Sequence, residues 1–135
     1  MGDLLISVNW WSVLVATFVY FMLGGAWYSF LFTKKWMALR EITEEDIGEP
    51  NPVTFLYTFL LQMVAVTTLA LFIETMGINS AAYGATIGFG AGAGLVFTLT
   101  ANTGLFSDTK LGLHFIDNGY HVVGLTLVGL ILGMW

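Results

Sequence analysis

Residues 52–75 read PVTFLYTFLLQMVAVTTLALFIET, and this stretch decides the fold. It holds one charge, Glu74, at its far end. As a helix rising about 1.5 Å per residue it reaches roughly 36 Å, enough to cross a hydrocarbon core of about 30 Å. Pro52 suits the first helical position, where an N–H would have no intrahelical acceptor, and Asn51 before it can cap. The run does not alternate in polarity, and it is too long for a barrel strand of about ten residues.

Three more runs of the same kind lie on either side, at about 4–32, 81–106 and 111–135. The charges punctuate them. Of the 13 Asp, Glu, Lys and Arg residues, 8 lie between Lys34 and Glu49, and the rest are Asp3, Glu74, Asp108, Lys110 and Asp117. The pattern predicts an all-α, integral membrane four-helix transmembrane bundle, a single domain over 1–135. The first span is long for the bilayer and tilts or starts outside it, with a bend expected at Gly24 and Gly25.

Composition agrees with that class. The chain is 57% hydrophobic and 10% charged, with a mean hydropathy of +0.82. A soluble domain carries about 25% charge, and at 135 residues it could not hide this much apolar surface. Four Lys and Arg residues make no basic patch, so nucleic acid is not a partner. Without cysteine there are no disulfides, thiolate metal sites or thiol nucleophiles. No cofactor motif is present. The first run lacks a basic leader and a small-x-small cleavage site, which argues against a signal peptide.

Lys34, Lys35 and Arg40 fall between spans one and two, and Lys110 between three and four. The termini and the Glu74–Asn79 turn have none. The excess of Lys and Arg marks the cytoplasmic side, so loop 33–51 is expected inside and both termini outside. Within that loop Thr43 precedes three acids and reads as the cap of a short interfacial helix. Its acids lack the ligand spacing and glycine of a calcium loop.

Span three carries Gly84, Gly88 and Gly92 on one stripe and Gly90 and Gly94 nearly opposite. Gly129 and Gly133 repeat the spacing in span four. Small residues let helices approach closely in lipid, where hydrophobicity cannot drive association. Two stripes predict neighbours on both sides of span three, and few internal contacts predict a homo-oligomer. The glycine run follows no strand and precedes no lysine, so it is not a phosphate-binding loop.

The polar constellation opens span four. His114, Asp117, Asn118 and His121 stand at i, i+3, i+4 and i+7, on one helical face. Leu113, Phe115, Ile116 and Tyr120 are assigned to the other. A carboxylate or imidazole facing lipid is costly, so the polar face should point inward, with Asp117 able to bond His121. His114 and His121 are about 10 Å apart along the axis, too far to share a metal ion, and no metal set is complete. Asn102 and Gln62 are expected near this face by depth, in one polar cluster. Asn9 is a further intramembrane polar group. The cluster reads as polar glue, as a proton- or cation-linked permeation site, as a metal site to which Asp117 and His121 give two ligands and other elements the rest, or as an acid–base pair of a membrane enzyme. Passage of a small solute or ion is the leading reading, and a structural or accessory subunit the alternative.

Several blocks together resemble one family, the bacterial membrane proteins catalogued as domain of unknown function 1761. They are Gly24-Gly25-Ala26-Trp27-Tyr28-Ser29 with Lys35-Trp36-Met37, the Thr43-Glu44-Glu45 loop, Ile116-Asp117-Asn118-Gly119-Tyr120-His121, and Gly133-Met134-Trp135. Phe30 stands where a proline is usual. The resemblance implies a small four-helix protein of the bacterial inner (cytoplasmic) membrane and no particular activity. It draws weight onto Trp27 and Tyr28, at the inner interface, and onto Asp117 and His121.

Overall fold

The computed structural model describes residues 2–135. Among the described residues it is helical throughout, with no strand. Four helices are long and apolar enough to cross a membrane: Trp10–Leu31, Pro52–Thr75, Ala81–Phe106 and Leu111–Met134. They are called spans one to four.

Span one begins at Trp10, not at Leu4. A separate short helix covers Gly2–Ser7, and the chain breaks before Asn9. Asn9 is the reason: its Oδ1 accepts from the backbone N–H of Trp11 at 3.1 Å and of Ser12 at 3.4 Å. It is thus an N-cap rather than a polar group within the span. At the other end the helix runs α-helical through Gly24 and Gly25 and widens to a π-helical turn at Trp27–Leu31. The widening shifts the register by about one residue, and Trp27 and Tyr28 of this turn reach span four while Phe30 stays exposed. Asn51 caps span two through Val53 N–H at 2.9 Å, with Pro52 in the first turn.

The loop between spans one and two holds two helices, Thr33–Arg40 and Glu44–Ile47. Thr43 and Asp46 form a capping box at the second, as the Thr43 pattern predicts. The Thr43 backbone N–H and hydroxyl hold the Asp46 carboxyl below the usual carboxylate range. Glu41, in the left-handed region at φ 58°, ends the first.

Span four, not span three, is the centre. It packs against each of the other three spans. Spans one, two and four enclose an apolar core on the side of the termini, in which Val13, Val66 and Val128 are fully buried. Span three lies chiefly along span four. A Cβ at Gly84 would collide with the Gly129 carbonyl, one at Gly88 with the Leu125 carbonyl, and one at Gly92 would lie 2.7 Å from Val122 Cα. Gly133 receives Ser80 and Gly84 in the same way. These two helices therefore touch backbone to backbone. The second stripe finds no neighbour within the chain: at Gly90 and Gly94 a Cβ would meet nothing within 4 Å. One stripe is covered within the chain and the other is bare, because Gly129 and Gly133 of span four face the first.

Candidate functional site

Asp117 lies about 9 Å along span four from its loop end. It is half-buried and faces the loop-end turn of span one. The Tyr28 hydroxyl donates to its Oδ1 at 2.8 Å, and Trp36 Nε1 donates to the same oxygen at 3.1 Å. Tyr28 reaches it from the π-helical turn, and Trp36 from the loop helix that follows. Trp27, from the same turn, donates through Nε1 to the Ile116 carbonyl at 3.0 Å. The widened turn thus clamps span one to span four around the carboxylate.

No hydrogen bond joins Asp117 to His121, although both are among the described residues. Each finds a partner on span one instead. His121 Nδ1 and the Tyr20 hydroxyl are hydrogen-bonded at 2.6 Å. The i,i+4 spacing allows a direct bond, but the Tyr28 and Trp36 donors take the carboxylate and the Tyr20 hydroxyl takes the imidazole.

Tyr120 is the principal residue that sequence reasoning misplaced. It is buried, not lipid-facing, and it packs rings with Tyr20, Tyr28, Trp27 and His121. Its hydroxyl accepts from Gln62 Nε2 and donates to the Tyr20 carbonyl at 3.2 Å. Ile116, assigned to the same outer face, is buried as well. The signal was available: a tyrosine deep in lipid needs a partner for its O–H. Tyr20 in span one carries the same signal and was passed over.

The expected single cluster is divided. Gln62 joins it through Tyr120, and its Oε1 is buried without a partner. His114 and Asn118 form a separate pair on the side of span three. Asn118 Nδ2 donates to His114 Nδ1 at 2.8 Å and to the His114 carbonyl at 3.1 Å. His114 packs edge-on to Phe97, 4.7 Å between ring centres, and its Nε2 is buried and unpartnered. Asn102 lies on an exposed face and does not join either group. Its helix turns that stripe away from span four beyond the π-helical segment Gly90–Phe97.

Asp117 opens onto a pocket of about 410 Å³ at the loop end, lined also by Leu39, Arg40, Glu41, Asp108, Lys110 and Leu113. Lys110 is paired with Glu41 at 3.0 Å, and Arg40 stacks over the Trp36 ring at 4.8 Å. Among the described residues no cation forms an ion pair with Asp117. Among the described residues none donates a hydrogen bond to its Oδ2. No group of three or more metal-ligating side chains occurs among the described residues.

Four apolar spans, a short charged loop and a carboxylate held by aromatic donors define a small polytopic membrane protein. The family model described as "Protein of unknown function (DUF1761)" matches residues 11–133. The chain belongs to that family, as the sequence blocks suggest. No curated protein and no solved structure matches it.

Proposed function

We propose that the protein takes up a small cation, the proton included, at Asp117 from the loop-end pocket, as the first step of passage across the bilayer. One observation carries this reading. The carboxylate sits within a span, opens to a pocket, and among the described residues is met only by neutral donors on one oxygen. A carboxylate at that depth needs a counter-charge or a proton. The pocket holds two basic and three acidic side chains, and both cations are engaged elsewhere. The site is one-sided. Tyr120 gives its proton to a backbone carbonyl, so the chain of polar groups is not a proton wire, and the core beyond it is apolar and buried. Passage requires that core to open.

In this reading loop 33–51 faces the cytoplasm of a bacterial inner membrane and both termini face outward, as the four Lys and Arg residues favour. The bare Gly90 and Gly94 stripe favours a homo-oligomer, because it leaves a close-approach surface uncovered.

The test is flux into proteoliposomes of alkali cations and of protons, the latter by an enclosed pH dye. Asp117→Asn keeps the shape and removes the charge. It should assemble normally and lower flux about tenfold or more, the equivalent of losing one charge-assisted interaction. Equal flux in the variant, or none in wild type, would defeat the proposal. The closed apolar core favours a second reading, an accessory subunit whose polar groups only fix packing. Under it Asp117→Asn is silent.

A further inference from the structure

We propose that the groove enclosed by spans three and four and the Trp27–Lys35 segment seats one acyl chain of an anionic phospholipid from the leaflet on the loop side, with its phosphate against Lys35. This does not rest on the role of Asp117, which faces the other side of span four.

The groove has a volume of about 710 Å³. One wall is Phe89, Ala93 and Phe97, spaced four residues apart on span three, and the other includes Val122 and Val123 of span four. Gly119 forms part of the floor, where even a Cβ would reach the Trp27 ring at 3.6 Å. Along span four the lining runs from Gly112 to Val123, about 17 Å at 1.5 Å per residue. That is close to half of a hydrocarbon core of about 30 Å. The groove therefore extends from headgroup level to the midplane, the reach of one chain in one leaflet.

Its charge is as particular as its length. Lys35 is the one charged residue of the lining. It is exposed, and among the described residues it forms no ion pair. It stands at the loop end, where phosphates lie. The protein as a whole carries a net charge of −5, which disfavours anionic lipid in general, so any preference must be local. A lipid supplies both the apolar chain and the counter-charge in one molecule. One lysine near a headgroup gives about a fivefold preference for an anionic lipid.

The experiment is native mass spectrometry of the protein released from nanodiscs of equal parts phosphatidylglycerol and phosphatidylcholine. Wild type should retain phosphatidylglycerol about fivefold over phosphatidylcholine. Lys35→Ala should bring the ratio near one, while Lys34→Ala, outside the groove, should leave it unchanged. Ala93→Trp should fill the groove and lower retention of both lipids. Equal retention of the two lipids by wild type would overturn the proposal, as would the same effect from Lys34→Ala and Lys35→Ala. A lipid-free dimer would overturn it too, and would give the groove to a second copy of the chain.

Discussion

Gly88→Ala adds one methyl group at the point where spans three and four touch. That methyl would collide with the Leu125 carbonyl oxygen and lie 2.8 Å from the Leu125 carbonyl carbon and 3.1 Å from Thr126 Cα. All three obstacles are backbone, so no rotamer change relieves them. The helices must move apart by roughly 1 Å to restore ordinary contact, and a gap of that size forfeits a quarter to a half of each dispersion contact along the seam. The expected loss is about 1–3 kcal/mol, as for overpacking elsewhere. Gly25→Ala is the internal control, since a Cβ there meets nothing within 4 Å. It should be neutral or stabilise by up to about 1 kcal/mol, the helix-propensity difference. The assay is unfolding of each variant in mixed micelles by a titration with sodium dodecyl sulfate. If Gly88→Ala were no more destabilising than Gly25→Ala, span three would not be seated by this stripe, and the assignment of span four as the centre would fail.

Tyr120→Phe removes the hydroxyl that Gln62 and the Tyr20 carbonyl share. It should cost about 1–3 kcal/mol in the same titration, and adding Gln62→Leu should recover part of that, because a stranded amide is then removed. Asp46 is fully exposed, so its capping box matters locally. Its lowered carboxyl pKa means the contribution is present above the ordinary aspartate value, about 3.9, and is lost as pH falls through the lowered one. The amide proton of Thr43, followed by NMR, should therefore titrate below that ordinary value and stop doing so in Asp46→Asn. For orientation, the cysteine-free chain suits single-site labelling. Glu44→Cys should be protected from a membrane-impermeant reagent in intact cells and labelled after lysis, and labelling before lysis would reverse the topology.

The four spans were legible because lipid allows only internally bonded backbone, so a long run without charges has one solution. The capping of span two was legible for a local reason, the Asn51-Pro52 pair. The break at Asn9 was not, because hydropathy runs through it and only a hydrogen-bond count reveals the cap. Both glycine stripes were visible in the sequence. Which one is covered depends on where the partner's small residues fall, and that is a property of two helices together. The polar face of span four was legible as a face. Its partners were not: the π-helical turn at Trp27–Leu31 re-aims Tyr28 and carries the chain on to Trp36, so the carboxylate is met from span one and the loop rather than by His121. The sequence pattern puts Tyr120 on the opposite face and does not single out Tyr20, yet their hydroxyls organise the centre of the site.

The central claim is that Asp117 engages a cation or proton arriving from the loop end. Infrared difference spectroscopy on the reconstituted protein reads this directly, by stepping pH or cation concentration on one side of the membrane at a time. The account predicts a carboxyl band that changes when the loop-end side is stepped, stays still when the other side is stepped, and is missing in Asp117→Asn. A band that ignores both steps, or one that survives in Asp117→Asn, would contradict it.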